Sequence, residues 1–148
     1  MAVRDATEAD AERLLVLFRG YTDFYETNPP DSGLRELIAG QIAAGADAAF
    51  ILVATDADGV AVGFAHCQWK WSSLRGARIP FLDDLFVYPG ARGAGHADAL
   101  IGAIADRARE AGAPAVEWLT MPDNHRAQKV YDRVGGHREE LLEYALDV

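Results

Sequence analysis

The sequence predicts an α/β (α+β) domain, a sheet flanked by helices, and three observations predict it. Segments with apolar residues three and four apart alternate along the chain with short apolar or alternating segments. The run Val87-Tyr88-Pro89-Gly90-Ala91-Arg92-Gly93-Ala94-Gly95-His96-Ala97-Asp98-Ala99-Leu100 passes from an apolar strand through a proline and three glycines into a helix-forming stretch. The 148 residues make one ordinary domain, 1–148, long enough to bury roughly two-thirds of the surface its unfolded chain would expose.

Val3-Arg4-Asp5 reads as a short first strand, and Thr7-Glu8-Ala9-Asp10 opens a helix in the manner of a capping box. That helix runs to about Glu26, with Leu14, Leu17, Phe18, Tyr21 and Tyr25 on one stripe. Pro29-Pro30 ends it, and Asp31 or Ser32 caps a second helix through about Ala44. Ala49 to Ala54 is a strand, Asp56-Ala57-Asp58-Gly59 a hairpin turn, and Val60 to Trp71 a longer strand. There Ala65, Cys67, Trp69 and Trp71 share one face, and His66, Gln68 and Lys70 the other. Ser72 to Pro80 reads as a loop, and Phe81-Leu82-Asp83-Asp84-Leu85-Phe86-Val87 as a strand holding two carboxylates among apolar neighbours. A helix from about Ala94 to Ala111 stops at Gly112, and Ala115 to Thr120 is the next strand. Pro122-Asp123-Asn124 opens a short helix to about Val134, Gly135-Gly136 stops it, and Glu140 to Leu146 is a closing strand.

Composition limits the function classes. Hydrophobic residues at 50% and charged residues at 25% fit a soluble globular protein, with no apolar run as long as a membrane span. Met1-Ala2-Val3-Arg4-Asp5 has no apolar signal core, so cytoplasmic residence is the default expectation. The lone Cys67 forms no internal disulfide, and His66, His96, His125 and His137 have no metal-ligand spacing with it, so no metal is expected. A net charge of −9 without clustered Lys and Arg argues against nucleic acid as partner and is compatible with a cationic substrate.

The glycine turn is suited to an anion. Without Cβ atoms at Gly93 and Gly95, successive backbone N–H groups can converge on a phosphate, the following helix adds the positive end of its dipole, and Arg92 adds a charge at the rim. It is not a nucleoside-triphosphatase loop, because His96-Ala97-Asp98 supplies neither the lysine nor the magnesium-binding hydroxyl. A dinucleotide fingerprint would need a glycine where Asp98 stands, and about fifty residues remain beyond it, too few for the rest of a doubly wound domain. Further on, Asn124, Ala127 and Tyr131 fall on one helix face and can meet a single ligand.

Strand, glycine turn, long helix, strand and Asn124-x-x-Ala127-x-x-x-Tyr131 together resemble the GNAT superfamily of acetyl-CoA-dependent N-acetyltransferases, over roughly residues 47 to 146. The segment Phe81 to Val87 is most similar to the diamine (spermidine/spermine) and thialysine acetyltransferase branch. Asp83 stands where that branch has glutamate, and Gly136 replaces a residue that is often aromatic. The resemblance implies a mixed, strongly twisted sheet of six to seven strands with about four helices, acetyl-CoA entering where two central strands splay. It also implies that the backbone of Leu85, Phe86 and Val87 holds the pantetheine arm and that Arg92, Gly93, Ala94, Gly95, His96 and Ala97 hold the pyrophosphate. Asn124 would contact the cofactor, Ala127 would allow its close approach, and Tyr131 would protonate the departing thiolate.

A primary amine, with a pKa near 10.4, must lose a proton before it attacks a thioester, so the site needs an acceptor. Asp83 and Asp84 are the candidates; as neighbours on a strand they face opposite sides unless a bulge intervenes. Family position favours Asp83 as base, acting through water, with Asp84 binding substrate charge or holding structure. Buried hydrogen bonding by both is the competing reading. Tyr21, Tyr25 and Trp69 could wall a cationic amine, although core packing also accounts for such aromatics. The reading is N-acetylation of a small amine, polyamine or amino-acid-like, by direct attack in a ternary complex, in a homodimer as in many relatives. The alternatives are a lysine or N-terminal protein acetyltransferase and a non-catalytic acyl-CoA-binding module.

Overall fold

In the computed structural model, which describes residues 2–148, five strands form one sheet in the order β1-β2-β3-β4-β5. They are β1 (Ala2–Asp5), β2 (Ala49–Thr55), β3 (Ala61–Ser72), β4 (Ala77–Val87) and β5 (Glu117–Trp118). The first four pair antiparallel, and β5 joins β4 in parallel. The helices are α1 (Ala11–Phe24), α2 (Asp31–Ala43), α3 (His96–Glu110) and α4 (His125–Arg133).

The sheet divides two apolar layers. On one face Leu14, Leu17 and Phe18 of α1 and Leu34 and Ile38 of α2 pack against Ile51, Val53 and Phe64. The Phe18 and Phe64 rings stack with centroids 4.1 Å apart. On the other face Leu100 and Ile104 of α3 pack on Phe50, Leu52, Cys67 and Leu82. Helix α1 lies so close to β4 that a Cβ on Gly20 would come within 2.6 Å of the Phe86 ring.

Several expectations are corrected. Thr7 and Asp10 do form a capping box, but it opens a short 3-10 turn over Glu8–Asp10, and α1 stops at Phe24. The expected loop of residues 72–80 is mostly strand. Pro80 lacks a donor and read as a breaker, yet it pairs with Trp69, and the fully buried Ile79 anchors the start of β4. Helix α3 begins at His96 because Gly95 takes a left-handed φ of 85°, which ends the loop there. The sheet has five strands where six to seven were expected. Of the Ala115–Thr120 segment only Glu117 and Trp118 join the ladder, and Glu140 to Leu146 pairs with no strand among the described residues.

Candidate active site

The β4–β5 junction creates the opening. Two parallel strands paired only at Phe81 with Glu117 and Leu82 with Trp118 part beyond those residues, which leaves the β5-facing backbone of Leu85 to Val87 without a strand partner. A narrow cavity there is walled by Tyr21, Tyr25, Asp83, Leu85, Trp118 and Tyr131. Leu82 and Leu119 complete the lining, and five of the eight residues were candidates from the sequence. Tyr131 sits on α4 with its ring edge-on to Trp118, centroids 5.3 Å apart, and burial, then the nearby Tyr25, push its hydroxyl up to about 12.

A bulge in β4 decides where the carboxylates go. Cys67 pairs with Leu82 and His66 with Asp84, so Asp83 is an extra residue opposite the step between them. Gln68 Nε2 donates to Asp83 Oδ2 at 3.0 Å, and His66 Nδ1 meets Asp84 Oδ2 at 2.8 Å. His66 and Gln68 are two apart on β3 and share a face, so both carboxylates turn toward the α1–α2 side. Burial is the first cause raising the Asp83 pKa, with the Gln68 hydrogen bond opposing it. Asp84 faces the hydroxyl of Tyr21, whose pKa is pushed far up by burial and then by that carboxylate.

His66 is the residue sequence reasoning passed over. It lies 3% exposed beneath Asp84, and its other nitrogen, Nε2, meets Gln41 Oε1 on α2 at 2.8 Å. An ionised carboxylate only accepts, so Nδ1 carries a proton. Gln41 can serve Nε2 in either state, offering its oxygen to the imidazolium or its amide nitrogen to the neutral ring. The available signal was a histidine inside an apolar strand two positions from Gln68, but the register that sets it beside Asp84 depends on the bulge.

Trp69 does not join Tyr21 and Tyr25. Its indole N–H donates to Ala46 O at 3.0 Å, and its ring packs with Phe50 on the α3 side of the sheet. Cys67 is wholly buried there, and burial pushes its thiol well above the usual range, against a nucleophilic role.

The glycine loop is built as an anion cradle. Gly93 and Gly95 take φ of 86° and 85°, and the space a Cβ would fill at Gly93 is open. The amides of His96, Ala97 and Asp98 precede the first bond of the helix, Ala99 N–H to Gly95 O at 3.0 Å, and have no carbonyl one turn back. Arg92 donates from Nε to Val87 O at 3.0 Å, which holds its charge beside the end of β4. The His96 side chain turns inward, 5% exposed with Nδ1 unpartnered, so only its backbone faces the cradle. Asp98 and Arg133 form a double hydrogen bond at 2.7 and 3.0 Å, tying the loop helix to the helix that carries Tyr131.

Asn124 caps α4, its side-chain oxygen accepting from Ala127 N–H at 3.3 Å. After α4, Gly135 takes a φ of 90° and Gly136 N–H returns to Tyr131 O at 2.9 Å. A Cβ on Gly136 would press on that oxygen and on the Trp118 ring, so this departure from the family pattern is required by packing.

Comparison with known proteins agrees with this geometry. Residues 14–136 match the Acetyltransferase (GNAT) family. The chain is 28% identical to the uncharacterized N-acetyltransferase YhfO of Bacillus subtilis (strain 168), covering all of this chain and 98% of that one. It is 38% identical to the D-amino-acid N-acetyltransferase HPA3 of Saccharomyces cerevisiae over 57% of this chain and 52% of that protein. Among solved structures, the aminoglycoside N-acetyltransferase AAC(6')-Iy in complex with CoA superposes with a TM-score of 0.84 at 25% identity, over 99% of this chain and 93% of that one.

Proposed function

From the premise that the chain belongs to the acetyltransferase (GNAT) family and is an N-acetyltransferase, we propose that it acetylates a small amine carrying more than one positive charge. The observation that carries this is the bulge, which turns Asp83 and Asp84 together toward tyrosines at the strand opening. Acetyl-CoA, when bound, supplies an activated acyl group on a thioester. The residues present fit it: the left-handed glycines and free first-turn amides of α3 suit the pyrophosphate, and the unpaired edge of Leu85 to Val87 suits the pantetheine amides. A relative that is an aminoglycoside N-acetyltransferase solved with CoA, and one named for D-amino acids, support a small-molecule amine. The Leu82-Asp83-Asp84 run supports the diamine and thialysine branch as the finer reading.

Asp84 holds the substrate ammonium and takes its proton on the oxygen not bonded to His66, while the His66 Nδ1–H, held from behind by Gln41, keeps the carboxyl group in place. Asp83 binds a second positive charge, or relays a proton through water as its family position implies. Tyr131 donates a hydrogen bond to the departing sulfur. With its hydroxyl at about 12 against about 8.5 for a thiol, full transfer would be uphill by about 5 kcal/mol, so the proton passes as the amine's own proton is released. Attack is direct, since the buried Cys67 offers no nucleophile. The family resemblance carries the further reading of a homodimer.

The test is acetyl-CoA consumption with diamines, triamines, aminoglycosides, D- and L-amino acids and lysine peptides. Turnover of polycationic small amines is expected, and Tyr131→Phe should lower kcat by roughly 10²-fold with acetyl-CoA affinity within a few-fold. Turnover of peptides alone would make it a protein acetyltransferase. CoA binding with no turnover of any amine would make it a binding module.

A further inference from the structure

A second cavity lies on the other side of β4 from the substrate opening. It holds about 460 Å³ and shares no lining residue with the cavity at Tyr131. The start of α1, the β2–β3 hairpin and the loop between β4 and α3 border it. Its walls therefore stand on the β3 side of β4, whereas the unpaired edge of Leu85 to Val87 faces β5. That volume falls in the range of about 300–1,000 Å³ that takes a small organic molecule.

Two guanidinium groups line it, and neither meets a carboxylate among the described residues. Arg13 of α1 donates from Nε to Ala61 O at 2.7 Å, and Arg92 from Nε to Val87 O at 3.0 Å. Each is anchored by that one nitrogen, and the terminal nitrogens of both have no partner among the described residues. Arginines elsewhere on this acidic chain find carboxylates, as Arg4 does with Asp10 and Arg133 with Asp98. The one acid in the wall, Asp56, accepts at Oδ1 from Asp58 N–H at 3.0 Å and Val60 N–H at 2.9 Å, which commits it to the hairpin turn. His96 lines the same cavity, 5% exposed, with Nδ1 buried and unpartnered among the described residues. Fixed cations and an unanswered imidazole on one concave surface suit an anion.

The remaining wall is apolar, with Val60 46% and Tyr88 51% exposed. A Cβ on Gly90 would come within 3.0 Å of the Tyr88 ring, so glycine there lets the ring lie close on the loop. An inorganic ion would leave this surface bare, and a flat apolar group would cover it. We propose that the cavity is a second ligand site that takes a small organic phosphate with a flat apolar body, the phosphate on Arg13 and Arg92 and the body against Tyr88 and Val60. The charge of Arg92 is common to this cavity and to the cradle for acetyl-CoA, so an occupant that neutralises it weakens acetyl-CoA without touching it. That coupling rests on the reading of the glycine loop as the pyrophosphate cradle; the site itself does not.

Phenyl phosphate is the ligand to use, since it is not a fragment of acetyl-CoA. Calorimetry on the full chain saturated with CoA, which fills the cradle, should still show phenyl phosphate binding, a few-fold weaker than to the free chain. It should bind at least about tenfold more tightly than inorganic phosphate or phenol. Arg13→Gln should weaken it by about ten- to a hundredfold and leave the CoA affinity of the chain without phenyl phosphate unchanged. Tyr88→Ser should weaken phenyl phosphate more than inorganic phosphate, and it carries the comparison if Arg13→Gln does not fold. Complete loss of phenyl phosphate binding at saturating CoA would overturn the proposal, because the ligand would then occupy the cradle itself. So would binding indifferent to both substitutions, or inorganic phosphate bound as tightly as phenyl phosphate. A chain that binds phenyl phosphate but no CoA would overturn the cradle reading and leave the second site standing.

Discussion

At the scale of single residues, the site is governed by which atoms can hold a proton. Asp84 accepts from His66 Nδ1, and the histidine is held in turn by Gln41, so the carboxylate is fixed in direction before any substrate arrives. His66→Ala should therefore lower kcat by about tenfold or more while leaving the KM for acetyl-CoA unchanged, and His66→Asn, whose amide N–H stands near the place of Nδ1–H, should recover part of the loss. Loss in both variants in proportion to thermal stability would make His66 a packing residue. Asp84→Asn should abolish most turnover with every amine, whereas Asp83→Asn should weaken diamines more than monoamines, by about 1–3 kcal/mol for a charge-assisted contact. If Asp83→Asn instead depresses all amines near neutral pH and recovers as free amine accumulates at higher pH, the roles of the two carboxylates are reversed.

At the scale of elements, the glycine loop and its helix were legible because their requirements are local. Positive φ at Gly93 and Gly95 and free amides at a helix start follow from residue type alone. Gly95→Glu should abolish CoA binding by calorimetry in a protein with unchanged circular dichroism, because both a side chain and a negative charge would enter the cradle; retained affinity would remove the cofactor assignment. The bulge was legible only as an option. Nothing in Leu82-Asp83-Asp84 says which residue is extra; the register is set by Leu82 and Phe86 packing into opposite layers. Likewise Trp69 looked like a neighbour of the tyrosines until its strand face was known, and the closing strand was readable as a strand but not as one lacking a partner. The capping box is both legible and measurable. Two hydrogen bonds from Arg4 at 2.8 and 2.9 Å, then one from Thr7 N–H at 2.8 Å, hold the Asp10 carboxyl down to about 2. Because the folded value lies below the unfolded one of about 3.9, this stabilisation is complete above pH 4 and lost as pH falls through 2. Asp10→Asn should cost about 1 kcal/mol at neutral pH, discounted because Arg4 is half exposed, and the difference from wild type should shrink as pH falls through 2 and vanish only below it in thermal melts.

At the scale of the whole molecule, charge ties the site to its two substrates with opposite signs. A net charge of −9 on 148 residues attracts a di- or tricationic amine toward any opening on the surface and repels the anionic acetyl-CoA, which the local cradle of Gly93, Gly95, Arg92 and the α3 dipole must overcome at short range. Raising ionic strength from about 0.01 to 0.15 M shortens the screening length from about 30 to about 8 Å, which removes the long-range field and leaves contacts in the cleft nearly unchanged. For a diamine, kcat/KM should then fall several-fold, more steeply than for a monoamine of similar size, while kcat itself holds. For acetyl-CoA, KM should fall or stay level over the same range. The two slopes are measured in one set of initial-rate titrations. If diamine and monoamine respond alike, the second positive charge is not sensed on approach, and the pairing of Asp83 and Asp84 would act only after docking. If the acetyl-CoA KM rises with salt, the cradle's positive groups outweigh the global field, and Arg92→Gln should then flatten that slope.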